Sequence, residues 1–198
     1  MTEQSTDMAG EVAARLNGRP IVLIGMMGAG KSAIGRKLAA RLDWPFVDAD
    51  HEIEAAANMS IPDIFEAYGE PEFRRLEASV MARLLDAGSS VLATGGGAFM
   101  NADTRAAIAA SAVSVWLSAD IDLLMARVAR KSTRPLLKAP DPRAVMQKLI
   151  DERYPVYARA DVTVASRDAS KEEMAQTVIE ALHDHLAGTP EKAAQDPT

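Results

Sequence analysis

The clearest chemical signal in the sequence is a glycine-rich segment that ends in lysine and serine. Residues Gly25 to Ser32 read GMMGAGKS, a complete GxxxxGKS pattern between an aliphatic run and a helical pattern. Backbone N–H groups of such a loop turn inward around phosphate oxygens, and the following helix adds its positive N-terminal end. Lys31 would reach the β- and γ-phosphates, and the Ser32 hydroxyl would ligate magnesium. The pattern predicts a nucleotide site formed by Gly28, Ala29, Gly30, Lys31, Ser32 and Ala33.

The loop alone leaves the acceptor open, because switches, motor ATPases and metabolite kinases all carry it. The first candidates on the acceptor side are Asp48 and Asp50, which follow a second apolar run. Residues two apart on an extended segment point to the same side, and this end of a parallel strand faces the phosphates. Asp48 could support the metal while Asp50 accepts a hydrogen bond or a proton from the attacking hydroxyl. The alternative is a solvated turn in which an aspartate caps the next helix.

A second cluster of glycines, Gly95, Gly96 and Gly97, follows a third apolar run. Glycines let a ligand approach the backbone closely, which no residue with a side chain allows. A tight turn would normally need only one glycine, so the three together favour a ligand-binding loop.

Aromatic and basic residues that could bind an anionic acceptor lie between these two glycine clusters. Phe73 and Glu77 are four apart on a predicted helix, and Arg74 follows Phe73. An aromatic wall and a carboxylate-binding guanidinium can therefore coexist there. On the residues alone, Phe73 could equally be a core residue, and Arg74 and Arg75 part of a solvated face.

Five short apolar runs separated by helical patterns provide the scaffold that would position these residues. Strands are predicted at 21–24, 46–47, 90–93, 113–117 and 162–164, and helices at about 31–41, 71–87, 102–110, 121–130, 142–152 and 171–185. Asn101 and Asp120 are predicted helix N-caps, and Ser170 with Glu173 matches a capping box. This alternation predicts an α/β fold with a parallel sheet of about five strands flanked by helices.

The length of 198 residues and the 48% hydrophobic content predict a single domain, which we place at residues 19–187. Residues 1–18 and 188–198 show little periodicity and are predicted to be flexible tails. Basic residues, Arg127, Arg130, Lys131 and Arg134, lead into a proline-rich stretch, so residues 130–142 are predicted to form a mobile lid. Such a lid could exclude water and bring a cation to the transferring phosphoryl group. For Arg130 and Lys131 a solvated basic turn is the simpler interpretation.

Overall charge and composition exclude several classes of partner. A formal net charge of −6 argues against a general binder of nucleic acids or anionic membranes, since both need a basic face. Zero cysteines exclude disulfides, and the acidic N-terminal residues do not resemble a secretory signal. No apolar run approaches the roughly 20 residues that span a bilayer. We therefore expect a cytoplasmic protein without nucleic-acid or membrane partners, and we further expect a monomer.

Two segments carry a family resemblance. Residues Ser60 to Glu77 contain Ile-x-x-x-Phe, then Gly-Glu, then Phe-Arg-x-x-Glu, and this order resembles the shikimate-binding region of shikimate kinases. Residues Glu152 to Asp161 resemble the family's Arg-x-Pro-x-Tyr segment, which is followed by Ala-Asp before the last strand. The resemblance runs from about Arg19 to Leu186 and includes both ligand sites in the family's order, although the stretch 166–169 carries no recognisable signature.

The resemblance implies a fold and a reaction. The fold is that of P-loop proteins of the nucleoside-monophosphate-kinase branch, with strand order 2-3-1-4-5. The reaction is transfer of the γ-phosphoryl group of ATP, with Mg²⁺, to shikimate. The product would be shikimate 3-phosphate, a precursor of chorismate and the aromatic amino acids. The implied catalytic residues are Lys31, Asp50 and Arg134.

The resemblance also implies how the ligands bind. Shikimate would lie against a helical region at about 50–80, with Arg74 and Arg153 on its carboxylate. The backbone of the glycine loop would contact its polar groups. Further residues would line the ligands by the same resemblance: Phe65 and Phe73 the shikimate ring, Asp50 the acceptor hydroxyl, Arg134 the phosphates from the lid, and Arg127 the adenine end. Tyr157 is interpreted as a packing residue.

Two other functions remain open at this point. A related metabolite kinase, such as a gluconate kinase, would share the loop and the lid, but the two arginines and three glycines suit shikimate better. A nucleotide-dependent switch or binding module that has lost phosphoryl transfer is the second alternative. The intact Lys31 and Ser32 argue against it.

Overall fold

The core of the protein is a parallel β-sheet whose strands lie where the sequence predicts them. The computed structural model describes residues 3–130 and 140–188. The strands are β1 (Ile21–Ile24), β2 (Phe46–Asp48), β3 (Val91–Ala93), β4 (Val113–Ser118) and β5 (Val162–Ala165). They pair in parallel in the order β2-β3-β1-β4-β5, which confirms the predicted fold. Every residue of β1 is buried, as expected for a strand covered by helices on both faces.

Helices surround this sheet. Within the described ranges they are α1 (Glu3–Leu16), α2 (Lys31–Leu42), α3 (Ala49–Ala57), α4 (Ile61–Leu85), α5 (Ala102–Ser111), α6 (Ile121–Ala129), α7 (Pro142–Tyr157) and α8 (Lys171–Gly188), with a short 3-10 helix at Ala98–Met100. Across those same ranges, no helix combines the length and the apolar character needed to cross a membrane.

The helix start signals are confirmed. The side chains of Asn101 and Asp120 accept hydrogen bonds from backbone N–H groups in the first turns of α5 and α6, at 2.9 and 2.7 Å. At the start of α8, the backbone N–H of Ser170 donates to the Glu173 carboxylate at 2.9 Å, and the backbone N–H of Glu173 donates to the Ser170 hydroxyl at 3.1 Å. These bonds satisfy N–H groups that have no partner within the helix.

The prediction of a flexible tail at residues 1–18 is wrong, because residues 3–16 form α1. Ala9, Val12 and Leu16 recur at helical spacing and are buried where α1 packs on α2 and α8. Glu11 also lies 3.1 Å from the ring nitrogen of His183 in α8. The apolar residues of α1 do recur at helical spacing, but its packing partner α8 comes from the other end of the chain, so the sequence did not indicate that this segment packs against the core. At the C-terminus α8 runs to Gly188, and the remainder of the second predicted tail lies outside the described residues.

The segment after β2 differs from the prediction in ways that matter for the site. α3 begins at Ala49, so Asp48 and Asp50 do not share an extended segment. α4 begins at Ile61, well before the predicted start. Gly69 interrupts it at φ 76° and ψ 175°, a conformation that favours glycine, and the helix resumes beside a proline.

α7 is longer than the sequence predicts. It continues through Pro155 to Tyr157 instead of ending near residue 152. Arg153 and Tyr157 are therefore one turn apart on the same helix. Before α7, residues 131–139 lie outside the described part of the chain, and with them Lys131, Arg134 and most of the predicted lid.

Candidate active site

The glycine-rich loop between β1 and α2 has the backbone of a phosphate-binding loop. Gly25, Gly28 and Gly30 adopt φ angles of 144°, 87° and 101°, which residues with side chains rarely adopt. α2 begins directly at Lys31, whose ammonium group donates to the Gly25 carbonyl oxygen at 2.8 Å. The loop, the positive end of the helix and the lysine are thus together at one edge of the sheet, as binding of a phosphate chain requires.

Ser32 and Asp48 form a pair of oxygen donors beside this loop. Ser32 Oγ donates to Asp48 Oδ2 at 2.8 Å, which connects the start of α2 to the end of β2. Asp48 also accepts from the N–H of Asp50 at 3.3 Å and so caps α3. Asp48 therefore caps a helix, which the sequence left as an alternative, and it also lies beside the phosphate loop. No group of three or more His, Cys, Asp or Glu side chains is arranged to hold a metal anywhere in the described ranges.

Asp50 lies in the first turn of α3, where the phosphate loop and the second glycine loop meet. Burial raises the pKa of its carboxyl group and the charge of Asp48 raises it further, whereas the Lys31 ammonium opposes both effects. A Cβ at Gly95 would lie 2.8 Å from Asp50 Oδ1 and 3.2 Å from Glu77 Oε1. The backbone at Gly95 can approach these two carboxylates only because that residue has no side chain.

The second glycine loop is also the meeting point of two arginines from different helices. A Cβ at Gly96 would lie 2.8 Å from Arg153 Nη1 of α7. A Cβ at Gly97 would lie 2.7 Å from Arg74 Cζ of α4. The loop thus brings together two guanidinium groups that are far apart in the sequence. That both bind one carboxylate stays a prediction, which this arrangement supports.

Two carboxylates hold Arg74 in place. Its Nη1 donates to Glu77 Oε2 at 2.7 Å, and its Nε donates to Glu70 Oε1 at 3.2 Å. The Glu77 side chain is buried, and burial raises its pKa while the Arg74 charge lowers it. The sequence pattern includes Glu77 but assigns it no role, whereas the structure shows that it orients the guanidinium of Arg74.

The two residues predicted to form an aromatic wall, Phe65 and Phe73, have neighbouring rings that are tilted against each other. The ring centroids of Phe65 and Phe73 are 4.5 Å apart with an interplanar angle of 31°. Arg74 Cζ lies 5.0 Å from the Phe73 centroid. Phe73 is buried and Phe65 is 37% exposed. Phe73 is therefore a core residue, and a role for either ring in binding the acceptor stays a prediction.

Arg127 of α6 connects the phosphate loop to the segment after β5. Its Nη1 donates to Ser166 Oγ at 2.8 Å and to the Ala29 carbonyl at 3.3 Å, and its Nη2 donates to the Arg167 carbonyl at 2.7 Å. Ser166 Oγ itself donates to the Ala29 carbonyl at 3.0 Å. The sequence showed no signature at 166–169, because every contact that gives this stretch a role joins residues from distant parts of the chain.

One continuous cleft of about 470 Å³ joins these parts. Its walls on the nucleotide side include Gly28, Gly30, Lys31, Ser32, Ala33 and Arg127, and those on the acceptor side include Asp48, Asp50, Gly95, Gly96 and Arg153. Beyond the phosphate loop the cleft reaches Arg130, Asp168, Ala169, Lys171 and Met174. Arg130 is exposed at the end of α6, as the solvated-turn interpretation expects, and it also lines this cleft.

Five predicted site residues, Ala29, Phe65, Phe73, Arg74 and Gly97, do not line this cleft within the described structure. Glu77 links Arg74 to the acceptor wall, since it contacts Arg74 and lies close to Gly95. Arg134, the predicted lid arginine, lies in the part of the chain that the structure does not describe.

A phosphate loop on a parallel sheet of this order, facing a buried carboxylate and arginines across one cleft, defines a P-loop kinase of small molecules. The family model described as shikimate kinase matches residues 27–183. The chain is 57% identical over 180 residues to the shikimate kinase of Rhodopseudomonas palustris, covering 91% of this chain and 89% of that protein. It is 59% identical over 172 residues to the shikimate kinase of Mesorhizobium japonicum, covering 87% and 85%. The chain belongs to the shikimate kinase family.

Solved structures agree with this assignment. The shikimate kinase of Acinetobacter baumannii in complex with shikimate matches with a TM-score of 0.79 and 36% identity, covering 85% of this chain and 95% of that one. A gluconokinase from Sinorhizobium meliloti matches with a TM-score of 0.56 and 14% identity, covering 86% and 94%. The second match shows a shared fold alone, whereas the family assignment confirms the predicted ATP-dependent kinase.

Proposed function

We propose that this cleft transfers the γ-phosphoryl group of ATP to the 3-hydroxyl of shikimate, which yields shikimate 3-phosphate and ADP. The observation that carries the proposal is the shared cleft. Lys31 and Ser32 line it on the side of the phosphate loop, Gly96 and Arg153 line it on the acceptor side, and Asp50 also lines it. This arrangement supports a reaction in which both substrates bind at once and the phosphoryl group passes directly between them. The product would serve the synthesis of chorismate and the aromatic amino acids.

The acceptor side suits a small ring that carries a carboxylate. Arg74 and Arg153 would share the carboxylate of shikimate, because guanidinium groups bind carboxylates with paired hydrogen bonds. Gly95, Gly96 and Gly97 would let the ring approach the backbone, and the wall of Phe65 and Phe73 would support the apolar part of the ring. Five cationic side chains line the cleft against three carboxylates, which explains how a protein with a net charge of −6 binds an anion there.

Asp50 would orient the 3-hydroxyl of shikimate and accept its proton. The new bond joins the hydroxyl oxygen to the γ-phosphorus, the bond from that phosphorus to the bridging oxygen of ADP breaks, and the proton passes to Asp50. The raised pKa of Asp50 favours this role, because a carboxylate with a higher pKa is a stronger base. Lys31 would hold the β- and γ-phosphates and offset the charge on the oxygens that leave with ADP.

Ser32 and Asp48 fit a magnesium ion. They supply hard oxygen donors 2.8 Å apart beside the phosphate loop, and Mg²⁺ is usually held by one or two protein groups together with phosphate and water oxygens. When bound there, the ion would neutralise phosphate charge. Ser32 would ligate it directly and Asp48 would hold its water ligands. Removing Mg²⁺ with a chelator should therefore stop turnover.

The nucleotide base would lie beyond the phosphate loop, at the end of the cleft that Arg127, Asp168 and Ala169 line. Arg127 would position the adenine side, since its guanidinium already contacts the phosphate loop and the segment after β5. By family resemblance Arg134 would approach the phosphoryl group from the lid.

We also propose that the enzyme works as a monomer, because one chain supplies both sides of the cleft, and that it is located in the cytoplasm. Light scattering on the purified protein, together with cell fractionation, would test this.

The experiment that tests the reaction is ADP release from purified protein that receives Mg-ATP with shikimate, with gluconate or with neither. Turnover that depends on shikimate alone supports the proposal. Turnover that depends on gluconate would identify a different acceptor. Stimulation by neither compound would contradict the acceptor assignment and leave the nucleotide site unaffected. Detection of shikimate 3-phosphate by mass spectrometry would identify the product directly.

A further inference from the structure

Tyr157, in the last turn of α7, is a buried phenol that the proposed reaction does not use. Its side chain is fully buried, and its ring packs edge-on near Phe99 and Trp116 at centroid distances of 6.5 and 6.1 Å. Its hydroxyl donates to the carbonyl oxygen of Gly96, in the middle of the second glycine loop (residues 95–97), hereafter the acceptor loop. The packing role expected from the sequence is present, and the hydrogen bond adds a second role.

The hydrogen bond to Gly96 fixes the peptide plane between Gly96 and Gly97. A trans peptide is planar, and its C=O and N–H groups point in opposite directions. A carbonyl held towards α7 therefore directs the N–H of Gly97 away from α7. Glycines have unusual backbone freedom, so an anchor from outside the loop constrains this segment more than it would constrain another sequence.

The same phenol is close to Arg153, which precedes it by one helical turn. The charge of Arg153 and a hydrogen bond to it act against the burial that raises the pKa of the Tyr157 hydroxyl. A Cβ at Gly96 would lie 2.8 Å from Arg153 Nη1 and 3.5 Å from the hydroxyl oxygen of Tyr157. The three residues thus form one contact unit, with the phenol between a backbone group and a guanidinium group of the acceptor site.

We propose that Tyr157 is a positioning residue that holds the Gly96–Gly97 peptide and Arg153 in the arrangement that receives the substrate carboxylate. The inference rests on the proposed function, because it concerns the affinity for shikimate at this loop. A site that is already ordered loses less freedom when the ligand binds. Loss of the hydroxyl therefore weakens shikimate binding, while ATP binding and transfer within the bound complex change little.

The test is Tyr157→Phe, which removes one oxygen and keeps the buried ring. The KM for shikimate is expected to rise about threefold to tenfold, the size of one neutral hydrogen bond. The kcat and the KM for ATP are expected to stay within about twofold, because the hydroxyl contacts only the acceptor side of the cleft, at Gly96 and Arg153. The shift in melting temperature caused by shikimate alone, without ATP, should shrink in parallel and provides a readout that is independent of turnover.

Tyr154→Phe is the matched control. Tyr154 lies on the same helix, and its hydroxyl also donates to a backbone carbonyl, that of Ala119, which is not part of the acceptor loop. Both variants lose one phenol-to-carbonyl hydrogen bond, so both can lower the melting temperature. Only Tyr157→Phe should raise the KM for shikimate.

The inference is overturned if folded Tyr157→Phe keeps the wild-type KM for shikimate and the wild-type thermal shift. It is also overturned if Tyr154→Phe raises this KM equally, or if the KM for ATP rises as much, since either result indicates a general structural effect. Arg153→Ala in the same assays separates the inference from the proposed function. If wild-type turnover does not depend on shikimate, the proposed function itself fails. If Arg153→Ala keeps the wild-type KM for shikimate, the assignment of Arg153 to the carboxylate fails.

Discussion

The acceptor loop leaves no room for a methyl group beside Arg153, so Gly96→Ala should displace this guanidinium group and weaken shikimate binding. The added Cβ would lie 2.8 Å from Arg153 Nη1, so the guanidinium must move by about 0.6 Å to reach an ordinary contact of 3.4 Å. Gly96 has no positive φ angle, so alanine should not strain the backbone. The atom that must move is the end of a flexible side chain, and the protein should remain folded. Since a displacement near 1 Å can cost about a hundredfold in an enzyme site, we expect the KM for shikimate to rise about tenfold to a hundredfold.

The assay is ADP release at varied shikimate and saturating Mg-ATP, followed by the converse titration. The KM for ATP should be unchanged, because the added Cβ would lie 3.8 Å from the Gly25 carbonyl oxygen of the phosphate loop, an ordinary contact that displaces nothing. Gly10→Ala is the matched control: a Cβ there meets no atom within 4 Å, so kinetics should equal those of the wild type. An unchanged KM for shikimate in folded Gly96→Ala would refute the reasoning, and so would an equal rise in both Michaelis constants.

Three further predictions concern the base, the core and the phosphate loop. Asp50→Asn should lower kcat about a hundredfold to ten-thousandfold in the ADP assay with the KM for ATP preserved, and near-normal turnover would exclude Asp50 as base or orienting group. The same variant should melt at a higher temperature than the wild type at pH 7, because the folded state raises the pKa of Asp50 and so disfavours its charge. The gain should disappear as the pH falls to values at which this carboxyl is protonated in both states. Leu16→Ala should lower the free energy of unfolding in urea by about 2–5 kcal/mol, because Leu16 is fully buried, and a loss below about 1 kcal/mol would show that α1 does not pack as described. Lys31→Ala should reduce shikimate-dependent ADP release at least about a thousandfold, and substantial residual turnover would contradict its role at the phosphates.

Local sequence patterns were sufficient to place the strands and the phosphate loop, whereas the strand order came from the family resemblance. Each strand contains a short apolar run, and the GxxxxGKS pattern lies within eight adjacent residues. The N-caps at Asn101 and Asp120 were equally predictable, because a cap and the N–H group it bonds are three residues apart. Asp48 and Asp50 both line the cleft, but the geometry assumed for them was wrong: they belong to a helix cap and a first turn and not to an extended strand. Their roles in the reaction stay predictions.

Contacts between distant segments could not be predicted in this way. The hydroxyl of Tyr157 bonds to a carbonyl 61 residues away, and Arg127 bonds to Ser166 across 39 residues. A tyrosine or a serine in isolation does not indicate which backbone group it will reach after folding. Leu16 and the rest of the buried face of α1 are a similar case, since their partner helix comes last in the chain.

The continuity of the cleft has a pharmacological consequence. A single molecule that joins a carboxylate-bearing ring to a polyphosphate could occupy the acceptor loop and the phosphate loop together. Once one half is bound, the other half binds at an effective concentration in the millimolar range, so the linked compound should exceed the affinity of either part by about a hundredfold or more. Because Lys31 and Asp50 line the same cleft and the charge of Lys31 acts on Asp50 across it, a short linker would be enough. Such an inhibitor would compete with ATP and with the acceptor at the same time, and a cell could not overcome it by accumulating only one of the two substrates.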